Sequence, residues 1–483
     1  SYRNTMGEVN FGFNYDLNDE NSIGASYDLE CEPYAKGHAD GQQEIFNEGQ
    51  PVDIIKQKVL ADDIGGPTHE LNAYYVGKVN KLGVDFNGTY LWQKTGRDML
   101  ETEEATVLEN REIHTASRRH NQLLAGKLVL SYPIAKGQLE LGSEVSHTHS
   151  SGEYSNAEGI VADASTDMKE NNWAGFLAFS YPLGSFSMDA GLRYEYVSAK
   201  YYSFGKYEEE PSRNYSNWFP NLTLSWNKEP WAASLAYTCK TKRPSYSSLR
   251  NEVQYDNRYM YEGGDPYLRP TIAHDVSLDV MCNWISFGVE YLYEDNPIIW
   301  YATLYKHQDI AFLRNMNFSS KQTMTAYVIA APKFDWYQPT WQVFFQKPFF
   351  DAEKYGAPRG LSKPALGITW NNKFKLSSTW TSWVTLHANT TSYNAFRRYR
   401  SGYFASMRMV KTFFDEALTV NFYADDIFRS QKDQWTMYGD HATLTKDSYN
   451  SAREIGVRVV YKFNSGHRKY KGSGAGNAEK SRF

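Results

Sequence analysis

In Leu82-Gly-Val-Asp-Phe-Asn-Gly-Thr-Tyr-Leu-Trp92, apolar and polar residues alternate almost without a break, and this pattern indicates the fold. The two faces are best read as two sets: Leu82, Val84, Phe86, Gly88, Tyr90 and Trp92 on one, and Gly83, Asp85, Asn87, Thr89 and Leu91 on the other. A period of two is typical of a β-strand with one apolar and one wet face. The length of this stretch also matches what a tilted barrel strand needs to cross a bilayer.

The same alternation returns along the whole chain, at Phe186–Tyr196, Ile285–Tyr293 and Glu454–Phe463. Aromatic residues recur on one face and charged residues on the other. A soluble β-sandwich alternates too and remains the alternative, but its strands are usually only about five or six residues long. The long strands therefore favour an all-β fold, a transmembrane antiparallel up-and-down β-barrel.

Composition agrees with a membrane barrel. Aromatic residues make up 16% of the 483 residues, yet hydrophobic residues reach only 41% and the mean hydropathy is negative. Barrel strands show one face to lipid and the other to water, with aromatics at both interfaces. No run of eighteen apolar residues exists, which excludes a transmembrane helix. The net charge of −5, with both signs mixed along the chain, does not indicate binding to nucleic acid.

Nothing in the sequence predicts a catalytic centre, a metal site or a cofactor. Cys31, Cys239 and Cys282 lack any CxxC or Cys/His spacing, so neither a disulfide framework nor a zinc site is indicated. His147 and His149 share one strand face, a spacing that can hold a metal, but no carboxylate or cysteine stands in register with them. We therefore expect no metal, no cofactor and no enzyme activity.

Short and long connections alternate, which predicts the topology. The short turns are Asn18–Asn21, Val79–Lys81, Pro133–Gly137, Pro182–Ser185, Asn227–Pro230, Asn283–Trp284, Trp336–Pro339, Ser377–Ser378 and Phe414–Glu416. The long connections are 32–68, 94–120, 150–171, 198–213, 243–270, 294–322, 350–363, 391–399 and 429–449. In bacterial outer-membrane barrels the long loops are extracellular, so we expect long loops outside the cell and a periplasmic C-terminus.

These turns give about nineteen strands, whereas single-chain bacterial barrels have an even number. The first segment, about 7–17, already leads into a short turn, so an odd number of strands is expected to precede it in the complete protein, of which this chain is expected to be a mature or truncated form. Three further strands would give about twenty-two, the size whose lumen usually holds a plug. We expect a barrel domain at 1–464, lacking the plug and the first strands, and a glycine-rich periplasmic tail at 465–483.

Three stretches carry a family resemblance. Lys240-Thr-Lys-Arg-Pro-Ser-Tyr-Ser-Ser-Leu249, followed by Gly263-Gly-Asp-Pro-Tyr-Leu-Arg-Pro270, resembles the "RPs…L" and "GNPxLxP" stretches of TonB-dependent receptors. Asp265 stands where that family usually has Asn. The tail from Tyr470 to Phe483 and the "ADDIF" at Ala424–Phe428 look like the outer-membrane barrel branch common in Bacteroidota. The pattern extends over the whole chain, but only these stretches match in motif.

The resemblance implies a transporter that takes up a scarce nutrient, with a plug domain of the same protein inside the barrel and a TonB-contacting segment that this chain does not contain. It also implies contact with membrane lipid and with a surface lipoprotein. Lipopolysaccharide is a further expected partner, whose phosphates the cluster Arg397-Arg398-Tyr399-Arg400 could bind; the alternative is that these are solvated loop residues. The candidate ligand residues lie in the loop 243–270: Arg243, Tyr246, Tyr259, Tyr261 and Asp265. The alternative for this loop is a purely structural role, in which Pro244, Pro266 and Pro270 end strand pairing.

Two other functions stay open at this point. The first is a structural or assembly-partner barrel of the same family, retained for protein contacts without active transport. The second is a passive porin. An outer-membrane enzyme would need a catalytic set at one rim, and no such set can be assembled from the sequence.

Overall fold

One antiparallel sheet of nineteen strands dominates the molecule. The structure, a computed structural model, describes residues 2–306, 308–449, 452–463 and 471–483. Strands hold 75% of the described residues, which confirms the predicted all-β class. In the described ranges, no helix is long and apolar enough to cross a membrane.

The strands of the main sheet are long and follow chain order. Their bounds are β1 Tyr2–Asn18, β2 Asn21–Asn47, β3 Gln50–Val79, β4 Leu82–Ala105, β5 Arg111–Ile134, β6 Gly137–Asn156, β7 Ala164–Leu183, β8 Phe186–Ser203, β9 Lys206–Lys228, β10 Trp231–Lys242, β13 Thr271–Cys282, β14 Ile285–Asp295, β17 Ser320–Ala330, β18 Tyr337–Phe349, β19 Ala365–Lys375, β20 Trp380–Asn389, β23 Gly402–Phe413, β24 Leu418–Asp425 and β27 Glu454–Tyr461.

The remaining strands form two four-stranded sheets in the long connections, which we call the loop cap. They are β11 Val253–Asn257, β12 Met260–Gly263, β15 Ile298–Leu304 and β16 Ala311–Asn317 in one sheet, and β21 Ser392–Asn394, β22 Arg397–Tyr399, β25 Asp433–Tyr438 and β26 Thr443–Ser448 in the other. Within the cap, β12 and β16 pair in parallel. The only helical elements in the described ranges are a 3-10 turn at Glu353–Tyr355 and the single-turn helix α1 at Asn477–Lys480.

Eight of the nine short turns lie where the sequence predicts them. The prediction of a turn at Trp336–Pro339 is wrong, because the connection runs from 331 to 336 and Pro339 lies inside β18. Trp341 is the last β18 residue to pair with β17, and Pro339 pairs only with Asn372 of β19. A proline that faces no partner on one side removes no ladder hydrogen bond there, so the strand continues through it.

Four of the predicted long loops are largely strand. The hairpins β2–β3, β4–β5, β6–β7 and β8–β9 continue through 32–68, 94–120, 150–171 and 198–213, and their tips are only 48–49, 106–110, 157–163 and 204–205. Pairing is still regular far along these hairpins, as between Ile55 and Ala105. Charged and polar residues are mixed with apolar ones on both faces of this part, so the sequence loses its alternation although the backbone stays paired.

An apolar outer band marks the membrane-spanning part of the sheet. On β4 the outward residues Phe86 and Tyr90 are 44% and 41% exposed, whereas inward Asn87 and Thr89 are buried. The stretch 82–92 spans about 34 Å along a strand and about 25 Å along the barrel axis at the usual tilt. Its upper end is marked by a row of outward rings with neighbouring centroids 5.3–6.3 Å apart: Tyr27, His69, Trp92, His120 and His149.

The loop cap has its own hydrophobic core. Phe396 and Met437 are fully buried, and the ring of Phe396 lies 4.3 Å from that of Tyr301. Loop residues Phe350 and Leu361 join the same cluster. The long connections in this half of the sheet are therefore folded onto one another and not separately solvated.

Candidate functional site

The candidate site lies on the inner face of the main sheet, where β6–β8 face the stretch 243–250 and residues 471–483. We call residues 471–483 the inner segment. Strand alternation turns Glu144, Glu170 and Glu195 inward, because their neighbours on the strands point to the outer face. Val145 and Tyr196, next to Glu144 and Glu195, are 46% and 37% exposed, and Trp173, three positions beyond Glu170, is 43% exposed.

Arg243 stands at the centre of a buried network of alternating charge. Its guanidinium donates to Glu479 of the inner segment at 2.9 Å and also to Glu195. Arg193 extends the network by donating to Glu195 at 2.6 Å and to Glu144 at 3.1 Å. The side chains of Arg243 and Glu479 are 4% and 3% exposed. Charges buried this deeply persist only when they are paired, so the inner segment adds to Arg243 a second carboxylate partner beside Glu195.

A second buried pair lies beside the first. Arg482 binds Glu170 through both terminal nitrogens, one of them at 3.2 Å from Glu170 Oε2. The Arg482 guanidinium also lies over the Tyr246 ring, 4.2 Å from its centroid, and the Tyr246 ring stacks on Phe483 at 5.5 Å. Planar guanidinium groups suit both bidentate carboxylate binding and stacking on an aromatic ring.

The local sequence explains why Tyr246 points inward. Pro244 follows directly after Arg243 and has no N–H to continue the ladder, so the chain leaves the sheet there. Ser245 then closes a turn, its Oγ accepting from the Ser248 N–H at 3.2 Å. The Tyr246 N–H donates to the Arg482 carbonyl at 3.1 Å, which ties this turn to the inner segment.

The other three predicted loop residues lie elsewhere. The hydroxyl of Tyr259 donates to Asp53 Oδ2 at 3.2 Å. Tyr261 is buried against the rings of Tyr255 and Tyr305, with centroids 5.6 and 5.1 Å away.

Asp265 accepts from the Tyr267 N–H at 2.9 Å and lies 3.7 Å from Arg314. The structure thus brings Arg243 and Tyr246 together and leaves Tyr259, Tyr261 and Asp265 as braces of the loop cap. The ligand-binding role of these five residues stays a prediction.

A group of acidic side chains is buried where β4 meets the loop cap, beyond the apolar band. Burial, together with the nearby carboxylate of Asp256, raises the pKa of Glu101 to about 8. Burial likewise raises the pKa of Asp256 to about 6 and that of Glu262 to about 7. Gln57 donates to Glu101 Oε2 at 3.4 Å and to the Asp256 carbonyl. The cap is therefore sensitive to pH.

The histidine pair makes ordinary polar contacts. His147 Nδ1 lies 2.8 Å from Asn171 Oδ1, and His149 Nε2 lies 2.6 Å from Asp167 Oδ2. In the part of the chain that the structure describes, no group of three or more histidine, cysteine or acidic side chains could hold a metal ion.

Sequence reasoning missed Glu170, Glu479 and Arg482. Glu170 lies in a stretch that the sequence assigned to a loop up to position 171, and the inner segment was read as a tail outside the barrel domain. The usable signal was the polar face of β7, where Thr166, Glu170 and Asn172 share one parity and are all buried. Residues 464–470, which contain the predicted domain boundary, lie outside the described residues.

Together these features define a class: a membrane-spanning antiparallel β-sheet with an apolar outer face, a charged interior and a folded loop cap. Comparison with solved structures agrees. The chain is similar to a structure of Pseudomonas aeruginosa FpvA bound to heterologous pyoverdines, with a TM-score of 0.62 at 10% identity, over 95% of this chain and 64% of that one. It is also similar to the copper transporter OprC, with a TM-score of 0.54 at 9% identity, over 95% and 80% of the two chains.

The siderophore receptor PiuA from Acinetobacter baumannii gives a TM-score of 0.53 at 9% identity, again over 95% of this chain and 80% of that one. At these identities the likeness shows the fold alone, and at that level it confirms the resemblance to TonB-dependent receptor barrels. A comparison with curated protein sequences gives no match.

Residues 77–461 match the sequence model of the outer membrane protein beta-barrel family. Because this match extends over most of the chain, the protein belongs to that family. It is an outer-membrane protein.

Proposed function

We propose that the chain is the barrel of a TonB-dependent transporter that takes up a nutrient ligand not yet identified. The observation that carries the proposal is the size and lining of the sheet. Nineteen strands already exceed a sixteen- or eighteen-stranded porin, and barrels of about twenty-two strands hold a plugged lumen. The fold shared with the copper transporter OprC and the siderophore receptor PiuA supports it.

Within this proposal the long-loop rim faces the outside of the cell. The folded loop cap would be the first surface that a ligand meets, and Tyr259 and Asp265 are the partly exposed candidates there. Tyr246 and Tyr261 are buried, and the side chain of Arg243 is only 4% exposed. Lipopolysaccharide would contact the outward charges above the ring row, such as Lys36 and Arg118. A plug of the same protein, TonB and a surface lipoprotein are the further partners we propose.

The test is genetic and uses the full-length protein in its own cells. Strains that lack the gene, or that lack only the TonB-contacting segment of its product, are grown with limiting iron chelates, cobalamin or glycans as separate nutrient sources. We expect the two strains to share the same growth defect on one source. A defect in the null strain that is absent from the segment deletion would show transport without TonB and would refute the proposal.

The two alternatives predict different results. A passive porin would conduct ions as purified, plug-bearing protein in a planar bilayer, whereas a plugged transporter would stay closed. A structural or assembly barrel would give no nutrient-specific defect in either strain, and a partner protein would be lost from the outer membrane instead.

A further inference from the structure

We propose that the lumen contains a binding site for the chain's own inner segment, residues 471–483, and that its occupancy holds the stretch 243–250 against the barrel wall. The inference does not depend on the proposed transport function. Its occupant is a peptide segment with acidic, basic and aromatic anchors, among them Glu479, Arg482 and Phe483.

The first half of the inner segment docks through its backbone. The N–H groups of Ser473 and Gly474 donate to Asn87 Oδ1 at 2.9 and 3.2 Å, and that of Ala475 donates to Thr89 Oγ1 at 2.9 Å. The Gly476 N–H donates to Glu144 Oε1 at 3.0 Å. Successive backbone donors thus meet side-chain acceptors on the inner faces of β4 and β6, as a recognised peptide does.

Close packing accompanies these hydrogen bonds. Ala475 is 1% exposed and lies in one cluster with Leu91, Leu123 and Ala125 of the wall. A Cβ added at Gly476 would lie 2.7 Å from the Cβ of Ala125, and the φ of Gly476 is +66°. Both the contact and the backbone conformation therefore require glycine at this position. Apolar Leu91 and Leu123 on an otherwise polar inner face are explained by the same contact.

The second half docks through charge and also contacts the loop. Glu479 accepts from Asn172 at 3.0 Å and from Arg243 at 2.9 Å, and Lys480 donates to Glu70 at 2.8 Å. Arg482 joins Glu170 of the wall to the Pro244 carbonyl, which it reaches at 3.0 Å. One side of the inner segment thus binds the wall and the other binds 243–246, so the segment acts as a brace between them.

The experiment measures docking in isolated outer membranes of the full-length protein. After Cys31, Cys239 and Cys282 are changed to Ser, Thr89→Cys is combined with Ala475→Cys, two positions joined by the 2.9 Å hydrogen bond. The matched control is Tyr90→Cys with Ala475→Cys, because Tyr90 is adjacent in sequence but faces outward. Disulfide yield after mild oxidation is quantified by mass spectrometry of the linked peptides.

We expect the 89/475 disulfide at a yield at least about tenfold above that of 90/475, since a disulfide needs Cβ atoms about 3.5–4.5 Å apart. Equal yields would overturn the proposal, including the case in which a plug excludes the inner segment from the lumen. Heat-modifiable migration in electrophoresis shows that each variant contains a folded barrel.

A charge swap tests the anchor. Arg482→Glu is expected to lower the yield of the 89/475 disulfide at least about tenfold, because it leaves the buried carboxylate of Glu170 without its partner. Adding Glu170→Arg should restore most of the yield. An unchanged yield in Arg482→Glu, or no recovery in the folded double variant, would refute the assigned site.

The brace is tested separately by hydrogen exchange. Deletion of residues 471–483 removes the carbonyl that the Tyr246 N–H meets, so amides of 245–250 should exchange at least about tenfold faster. Amides of the distant β19–β20 pair serve as the internal reference and should not change. Unchanged exchange at 245–250 would show that the loop is held without the segment.

Discussion

Glu101→Gln should stabilise the loop cap at pH 8 and have little effect at pH 5. Glu101 is 3% exposed and lies nine residues beyond Trp92 on β4, outside the membrane-spanning part. Its pKa rises from 4.5 to about 8 in the folded cap, so the folded state retains a proton that the opened state releases. Stability therefore falls as pH rises from about 4.5 to about 8, and glutamine removes this dependence.

The magnitude follows from the same values. A pKa change of one corresponds to about 1.4 kcal/mol, so the stability that the cap loses because folded Glu101 keeps its proton grows by about 3 kcal/mol between pH 5 and pH 8. The gain of Glu101→Gln over wild type should grow by that amount. The real gain is smaller to the extent that Asp256 and Glu262 take up part of the charge change, since their pKa values are also raised.

The assay is hydrogen exchange of the amides of 253–263 in purified full-length protein, with rates corrected for the intrinsic effect of pH. Glu104→Gln is the matched control, because Glu104 neighbours the buried Glu103 but is exposed. The reasoning would be refuted if the difference in opening free energy between wild type and Glu101→Gln were the same at pH 5 and at pH 8. It would also be refuted by a pH-dependent change of the same size in Glu104→Gln.

Three further predictions concern the cap and the membrane band. Arg258→Met should lower the stability of the cap by about 3–5 kcal/mol, because it leaves Glu103, which is 0% exposed, as an unpaired buried charge. Limited proteolysis checks this, and Glu103→Leu in the same chain should restore resistance to the protease. Phe396→Ala should cost about 3–5 kcal/mol of cap stability, since the ring is fully buried; denaturant titration of cap proteolysis should show it while heat-modifiable migration stays normal. Phe86→Arg should lower barrel stability by about 2–4 kcal/mol, because position 86 faces lipid; Asp85→Arg, which faces the lumen, should cost clearly less in the same urea titration, and equal losses would contradict the assigned faces.

The fold was predictable where lipid imposes a pattern. Within the apolar band each outward position must be apolar, so stretches such as 82–92 show at once that the segment is a strand, which face it turns outward and how long it is. Beyond Trp92 charged and polar residues occur on both faces, as the pair Lys36 and Asp62 illustrates, and the sequence no longer alternates. The backbone ladder continues there because its hydrogen bonds do not depend on side-chain polarity. That is why strand number was predicted and loop length was not.

The candidate site was only half predictable for a different reason. Arg243 and Tyr246 belong to a recognisable motif, but their partners Glu479 and Arg482 lie more than two hundred positions away. Local pattern shows that a charged residue faces inward and does not show which opposite charge it meets. The pairing of Glu170 with Arg482, 312 positions apart, follows only from the docking of the inner segment against β7.

The two edges of the main sheet indicate how it closes. In the described ranges β1 pairs only with β2, and β27 pairs only with β24. Both edge strands run toward the short-turn rim, because Asn18 enters the turn at 19–20 and Tyr461 pairs with Leu418 next to the turn at 414–417. Placed side by side they would be parallel, whereas all their neighbours are antiparallel.

A bilayer leaves no strand edge unpaired, so a wholly antiparallel barrel needs an odd number of further strands between β27 and β1, whichever segment supplies them. Three such strands, the number predicted from the sequence, give the twenty-two of a plugged barrel.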